Sequence, residues 1–362
     1  MGKYKVVVYA IAKNEAMFAE TWAKNMSEAD EIYVLLDPTS TDNTREILEA
    51  NGVKVVAKQI KPWRFDVARN ESLKLVPKDT DICVCTDLDE FFSPYWRREI
   101  ERVWKPNTNQ GVYKYYHNAN SPHMAPNIID YSKIHDRKSF RWQWPVHEYI
   151  MPKNKSKVIN EVRIPDIMLY HTPDLSKSRS SYLGLLELAV KENKNDTRNL
   201  GLLGEEYLNK KEYAKAQTTL DRLLKVKNVT TFDKCVAYKY LIRLACEQKD
   251  FARAKEYCYK AIETCDYCKI FYGELGKILI LEDKTYQMGI SMLKKCLKIV
   301  DDFLPARETE WNDKAVVHNL ISIGYYNLGK KDEALKHINE AIKLRPNNTE
   351  YLDNKKLYES KK

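Results

Sequence analysis

The feature that most constrains the fold is a regular alternation of short apolar runs with helix-like stretches between Lys3 and Asp89. Strand-like runs such as YKVVVYAIA and EIYVLLD are each followed by a segment with helical periodicity. Helices between successive strands imply parallel pairing with right-handed crossovers. Ligands of such sheets bind beyond the carboxyl ends of the strands. We therefore expect an α/β domain whose binding residues follow its strands.

From about Ser180 the pattern changes to helices only, and small residues recur at similar offsets. Gly204 and Ala216 mark the first copy, and Gly329 and Ala334 mark the last. This pattern resembles tetratricopeptide repeats, which are stacked helical hairpins; an irregular helical bundle is the alternative. A chain of 362 residues is long enough for two cores. We predict one domain over residues 1–175 and an all-α repeat domain over residues 176–362.

Three carboxylates follow the fourth predicted strand, in the stretch DICVCTDLDEFF. Side chains two residues apart on a strand point the same way, so Asp87 and Asp89 are expected to converge beyond the sheet. Crowded like charges need a cation between them, and Mg²⁺ or Mn²⁺ binds a few carboxylates together with phosphate oxygens. The pattern predicts a divalent cation site. The alternative is a helix cap with surface acids.

The order of motifs along the chain resembles that of family 2 glycosyltransferases. Asn14 and Glu15 follow the first strand, Asp37 with STDNT follows the second, and FDVARN precedes the acidic triplet. The resemblance covers roughly Tyr4–His171. It implies a GT-A fold, an α/β domain that binds nucleotide-diphosphosugars, ahead of the helical repeats.

The same resemblance implies roles for individual residues. Asp37 would accept a hydrogen bond from the uracil ring, and Glu15 would lie near the nucleoside. Arg69 would face the nucleotide or its phosphates. Asp87 would lie near the ribose and the metal, and Asp89 would bind the metal directly. The turn after Asp37 departs from the family's D-D/G-S-T-D pattern, because a proline follows the aspartate.

Two later stretches, FRWQWPVHEYI and MLYHTPD, add further candidates. The resemblance implies that Glu148 is the catalytic base, that His147 lies beside the donor and that His171 completes the metal coordination. Trp144 offers a flat ring for a sugar, with core packing as the alternative. Burial beside tryptophans is expected to raise the pKa of a carboxyl group toward the useful range for a base. A histidine that only satisfies a hydrogen bond is the alternative for His147 and His171.

A transferase domain followed by helical repeats resembles the SunS-like group of bacterial and prophage enzymes, some of which glycosylate peptides on cysteine. This implies a metal-dependent, inverting glycosyltransferase that uses a UDP-sugar. Its acceptor would be a peptide or protein, and the repeats would bind the acceptor or another copy of the chain. Two alternatives stay open: the same chemistry on a surface polysaccharide, teichoic acid or modified phage DNA, and a non-catalytic repeat scaffold.

Composition limits the remaining classes. The formal net charge is +9, but no compact basic stripe with interleaved aromatics appears, so nucleic acid is not expected as a partner. No apolar run approaches the roughly 18 residues that a membrane span needs. Cys265 and Cys268 have zinc-like spacing without a second pair, and the eight cysteines are typical of free thiols in a reducing cytosol. We predict a cytoplasmic protein without a membrane span.

Overall fold

The computed structural model describes residues 2–117, 119, 127–154, 156, 158–174, 182–300, 303 and 310–360. The chain forms two compact units, Met1–Leu185 and Leu186–Lys362. The first combines strands with helices, and beyond it the elements are helical. The predicted order of fold classes, α/β and then all-α, is confirmed.

The first unit follows the predicted alternation of strands and helices through its fourth strand. Its elements are β1 (Val6–Ala12), α1 (Ala16–Met26), β2 (Glu31–Leu36), α2 (Thr44–Ala50), β3 (Lys54–Ala57), α3 (Phe65–Leu75), β4 (Ile82–Cys85), β5 (Glu90–Phe92), α4 (Trp96–Val103), β6 (Gln110–His117), β7 (Asn127–His135), β8 (Phe140–Gln143), β9 (Tyr149–Pro152) and β10 (Glu161–His171).

Eight strands form one sheet in the order β3-β2-β1-β4-β7-β6-β10-β5. The first four are parallel, as the alternation predicts, so Asp37 after β2 and Asp87 after β4 stand at the same edge. The sheet then continues with β7 antiparallel to β4, and β10 is parallel to β6. A hairpin of β8 and β9 is separate.

The central strands are buried on both faces, and their alternating residues enter two different cores. Val6 and Val8 of β1 pack with Trp22 of α1 on one face. On the other face, Val7 and Tyr9 pack with residues of α3 and of the β8–β9 hairpin. A strand with two apolar faces reads as a continuous hydrophobic run, which explains why VVVYAIA lacks a polar side.

A buried chain of hydrogen bonds joins three of these strands. Trp142 Nε1 donates to the Tyr9 hydroxyl over 2.9 Å, and that hydroxyl lies 2.7 Å from His135 Nε2. His135 Nδ1 lies 2.6 Å from the Asp136 carbonyl oxygen, which can only accept, so Nδ1 carries the proton and Nε2 accepts from Tyr9. Burial lowers the pKa of His135 to about 4. The imidazole is therefore neutral at pH 7.

We expect His135 to make the α/β unit sensitive to acid. Its pKa in the folded state lies below the ordinary value of 6.5, so below pH 6.5 the unfolded chain binds a proton that the folded chain excludes. The free energy of unfolding should fall by about 2 kcal/mol between pH 7 and pH 4.5 from this group alone. Urea unfolding of the wild type and of His135→Gln, which cannot titrate, measures the difference. Equal pH dependence in both proteins contradicts the assignment.

The second unit consists of helical hairpins in succession, and the four hairpins α6–α7, α8–α9, α10–α11 and α12–α13 each pair neighbouring helices. The helices are α5 (Leu183–Glu192), α6 (Thr197–Asn209), α7 (Tyr213–Leu224), α8 (Thr231–Glu247), α9 (Phe251–Thr264), α10 (Lys269–Leu281), α11 (Tyr286–Lys298), α12 (Lys314–Asn327), α13 (Lys331–Leu344) and α14 (Thr349–Ser360).

Small residues stand where paired helices touch, as the repeat pattern predicts. A Cβ atom at Gly276 of α10 would lie 2.6 Å from Leu293 Cγ and 3.2 Å from the carbonyl oxygen of Gly289 on α11. The two backbones are therefore too close for a larger residue.

In the part of the chain that is described, no helix has the length and apolar character to cross a bilayer. The eight cysteines form no disulfide.

Candidate active site

A cleft of about 450 Å³ opens where β1 and β4 end. Seven of the nine site residues predicted from the sequence line it, from the ends of β1, β4 and β10, from α3 and from the β8–β9 turn. They are Glu15, Arg69, Asp87, Asp89, His147, Glu148 and His171. Glu15 and His171, which lie 156 residues apart in sequence, thus share one surface. Neighbouring parallel strands end at the same edge of a sheet, which brings such distant residues together.

Two predicted residues, Asp37 and Trp144, are not among the described residues that line this cleft. Asp37 accepts hydrogen bonds from the backbone N–H and the hydroxyl of Thr39, at 2.9 and 2.8 Å. Its other oxygen lies 3.6 Å from Nζ of Lys13, which does line the cleft. Trp144 is half-buried with a left-handed backbone, at a φ of 75°. The contacts of Asp37 and Trp144 with a nucleotide or sugar therefore stay predictions.

Arg69 connects two carboxylates of the cleft. Its Nη2 donates to Asp87 Oδ1 over 2.6 Å, and its Nε donates to Glu148 Oε1 over 3.1 Å. The guanidinium carbon also lies 5.4 Å from the ring centre of Trp142, and the side chain is only 3% exposed. A planar fork of donors suits two acceptors at once. Arg69 therefore fixes the positions of Asp87 and Glu148 relative to each other.

Lys133 of β7 is a second buried cation in the cleft wall, and sequence reasoning missed it. Its Nζ lies 3.3 Å from Asp87 Oδ2 and 3.1 Å from Glu90 Oε1, and its side chain is 7% exposed. The antiparallel register of β4 and β7 pairs Val84 with Ile134 and so brings Lys133 to the end of β4. No local pattern marked it, because β7 (NIIDYSKIH) contains several other polar residues.

These contacts favour the ionised form of Asp87, the first carboxylate of the acidic loop (residues 87–90). Burial alone would raise the pKa of Asp87, but the charges of Arg69 and Lys133 outweigh it and hold this pKa well below its usual range. Burial would lower the pKa of Lys133, yet Asp87 and Glu90 raise it well above the ordinary value. Asp87 is therefore ionised with both oxygens engaged, Oδ1 by Arg69 and Oδ2 by Lys133.

Asp89 has different partners from Asp87, although both line the cleft. Its Oδ2 lies 3.2 Å from His171 Nε2, and its carbonyl oxygen accepts the backbone N–H of Thr172. The second ring nitrogen of His171, Nδ1, is buried and has no hydrogen-bond partner among the described residues. Burial lowers the pKa of His171, but the bond to Asp89 outweighs this and raises it above the ordinary value.

The donor atoms of Asp89 and His171 fit a divalent cation only in part. A carboxylate oxygen is a suitable ligand for Mn²⁺ or Mg²⁺, whereas an imidazole nitrogen is more typical of zinc, copper, iron and nickel sites. Across the residues that the structure describes, however, no group of three or more His, Cys, Asp or Glu side chains is arranged to hold a metal. Two protein ligands leave the remaining positions for phosphate oxygens and water, which is the usual arrangement at nucleotide sites.

Glu148 lies in the β8–β9 turn with its side chain 12% exposed. One oxygen accepts from Arg69, and no second hydrogen bond to this carboxylate occurs within the described ranges. The preceding His147 has a left-handed backbone, at a φ of 50°, and turns the chain so that both residues line the cleft. A carboxylate held by one oxygen retains the other for a proton.

An aromatic wall on the Glu148 side of the cleft was also missed. The rings of Trp63 and Phe65 lie 5.4 Å apart, Phe65 and Tyr182 6.0 Å, and Tyr182 and His147 5.7 Å, each pair edge to face. Phe65 and Arg69 are four residues apart in α3 and so share one helix face, which was a signal in the sequence. Lys177 and Arg179, whose positive charges would suit phosphate or a charged linker, lie outside the described residues.

Comparison with known protein families adds two matches. Residues 7–167 match the model described as Glycosyl transferase family 2. Residues 315–348 match the tetratricopeptide repeat. Both predicted resemblances are confirmed at this level, and membership of the SunS-like subgroup stays a prediction.

A curated relative from Rickettsia bellii (strain RML369-C), named an uncharacterized glycosyltransferase, is 31% identical over 112 residues. The match covers 31% of this chain and 36% of the relative. The chain thus spans about a third of the length of the curated relative that it matches.

Solved structures similar to the chain include MamA, YrrB and Pseudomonas aeruginosa pilF. MamA has a TM-score of 0.38 at 18% identity, covering 45% of this chain and 86% of its own. YrrB, described as a TPR protein with an unusual peptide-binding site, has a TM-score of 0.37 at 16% identity, covering 48% of this chain and 81% of its own. PilF has a TM-score of 0.39 at 16% identity, covering 47% of this chain and 70% of its own. Scores and identities this low support no conclusion about function.

Proposed function

We propose, on the premise that residues 7–167 are a family 2 glycosyltransferase domain, that this chain transfers a sugar from a UDP-sugar to a peptide or protein with inversion at the anomeric carbon. One observation carries the proposal: the candidate base Glu148 shares a cleft, and a buried arginine, with the acidic loop. A base beside a diphosphate site is what a single displacement at a sugar carbon needs.

The acidic loop and the end of β10 would hold the leaving group. Asp89 and His171 are the residues suited to bind Mn²⁺ or Mg²⁺. When bound, the ion neutralises the charge that develops on the departing diphosphate. Asp87 remains partly exposed and can still accept a hydrogen bond from the ribose while Arg69 and Lys133 hold it. The chain's own contribution is to hold these groups with the buried Arg69 and Lys133, so that they need not reorganise.

Glu148 would take the proton of the attacking acceptor atom. The bond from the anomeric carbon to the phosphate oxygen breaks as the bond to the acceptor atom forms, and the proton passes to the Glu148 carboxylate. The hydrogen bond from Arg69 keeps this carboxylate aimed into the cleft. The helical repeats support a peptide or protein acceptor, because stacked hairpins offer extended concave surfaces.

The proposal predicts that a UDP-sugar stabilises the chain in the presence of a divalent cation. A ligand that binds only the folded state raises the melting temperature, so a panel of UDP-sugars with Mn²⁺ should give one or a few clear shifts. The same sugars should be hydrolysed slowly to UDP. GDP-sugars with Mn²⁺ are the matched control. A panel without any shift or release of UDP argues against a UDP-sugar donor.

A further inference from the structure

The charges of the cleft do not balance within the protein. Five carboxylates and three lysine or arginine side chains line it. The carboxylates are Glu15, Asp87, Asp89, Glu90 and Glu148, and the cations are Lys13, Arg69 and Lys133. Of the cations, Arg69 and Lys133 are buried. Burying carboxylates without counter-charge is costly, so the position of each cation matters for what else the cleft can bind.

The ammonium of Lys133 stands at a point that oxygens of two carboxylates surround. Its Nζ lies between Asp87 Oδ2, at 3.3 Å, and the two oxygens of Glu90, at 3.1 and 3.3 Å. Glu90 is 2% exposed and its Oε2 also accepts the backbone N–H of Asp87. A cluster of acidic oxygens around one point is a typical cation site. Here a lysine ammonium occupies that point.

We propose that Lys133 is a positioning residue whose ammonium takes the place of a divalent cation between Asp87 and Glu90, and thereby lowers the affinity of the cleft for such an ion. This inference rests on the proposed function for its biological meaning. It explains why Asp87 and Asp89, which share a side in the sequence pattern, have separate partners in the structure. It also explains why the described acidic side chains form no metal-binding group of three.

Removing the ammonium should therefore increase the affinity for metal. In Lys133→Met the side chain keeps its length and loses its charge, so Asp87 and Glu90 become available as ligands. Loss of one positive charge from between two carboxylates that can bind the ion should tighten Mn²⁺ binding at least about tenfold. A purely structural lysine predicts equal or weaker binding, because its loss only loosens the loop.

Titration calorimetry with MnCl₂ alone, without a nucleotide, tests the proposal on the full chain. Wild type and Lys133→Arg should bind one Mn²⁺ with similar affinity, and Lys133→Met should bind it at least about tenfold more tightly. If Lys133→Met does not fold, Glu90→Gln and the double variant Glu90→Gln/Lys133→Met provide the same comparison with one buried charge fewer. The double variant should again bind more tightly than Glu90→Gln, by about tenfold.

Unchanged or weaker Mn²⁺ binding in the variants that lack Lys133 overturns the proposal. So does a loss of UDP affinity with unchanged Mn²⁺ affinity, which assigns Lys133 to the phosphates instead. These measurements need no sugar donor. Tighter Mn²⁺ binding in Lys133→Met without activity on any UDP-sugar supports this inference and contradicts the proposed function. Unchanged or weaker Mn²⁺ binding in Lys133→Met, together with activity of the wild type on a UDP-sugar, overturns this inference and supports the proposed function.

Discussion

Glu148→Gln should lower kcat by about 10²–10⁴-fold while UDP affinity stays nearly normal. The amide keeps the shape of the side chain and an oxygen that can accept from Arg69 Nε, now 3.1 Å from the carboxylate. It cannot take up a proton, so only the step in which the acceptor loses its proton is affected. Steady-state transfer kinetics together with UDP calorimetry measure the two quantities separately.

The matched control is Glu161→Gln, an exposed glutamate at the start of β10. It should leave kcat and UDP affinity unchanged, because a substitution of this kind at the surface removes no interaction in the cleft. A stable Glu148→Gln protein with the full transfer rate excludes the base assignment. A parallel fall in melting temperature and UDP affinity assigns Glu148 to the support of Arg69 instead.

Asp89→Asn should weaken Mn²⁺-dependent UDP binding by at least about tenfold and leave the free energy of unfolding nearly unchanged. Loss of a residue that merely supports a metal ligand already costs about 10–100-fold in affinity, so loss of a direct ligand should cost at least as much. The side-chain partner of Asp89 in the described structure is His171, and its side chain is 23% exposed. The fold therefore depends little on its charge.

Asp87→Asn is the comparison variant, because we expect it to affect the free energy of unfolding more than the Mn²⁺-dependent binding of UDP. It removes one charged partner from Arg69, which keeps Glu148, and one from Lys133, which keeps Glu90, and this should lower the free energy of unfolding by about 1–3 kcal/mol. Calorimetry with and without EDTA, paired with urea unfolding, measures both variants. Equal UDP affinity for Asp89→Asn and the wild type in Mn²⁺ contradicts the metal role of Asp89.

Much of the donor side of the molecule was predictable from sequence. The period of the apolar runs identified β1 to β4. Their parallel pairing was predictable because strands separated by helices permit few other arrangements. This places Asp37 and Asp87 at one edge without further information. The repeats were predictable for a similar reason, since small residues such as Gly276 must recur where helices touch.

The partners of the acidic residues were not predictable in the same way. Lys133 reaches Asp87 only because β7 joins the sheet antiparallel to β4, and a pairing between strands so far apart in sequence leaves no local pattern. The period-two rule put Asp87 and Asp89 on one side, but the chain leaves the strand after Cys85, so the rule no longer applies there. Tyr182, which comes after the last strand, had no motif to mark it.

The double attachment of Arg69 has a consequence for anyone who wishes to redesign this chain. One guanidinium orients the group that would receive the acceptor proton and the group that would face the ribose. A substitution that moves the β8–β9 turn to fit a new acceptor also displaces Glu148. Because Arg69 is hydrogen-bonded to both Glu148 and Asp87, Asp87 is then displaced as well. Substitutions intended to change the acceptor are therefore better placed at Trp63 and Phe65 of the aromatic wall, which line the cleft and accept no hydrogen bond from that guanidinium. In a redesign, the residues that Arg69 holds are best conserved, and the residues of the aromatic wall are best varied.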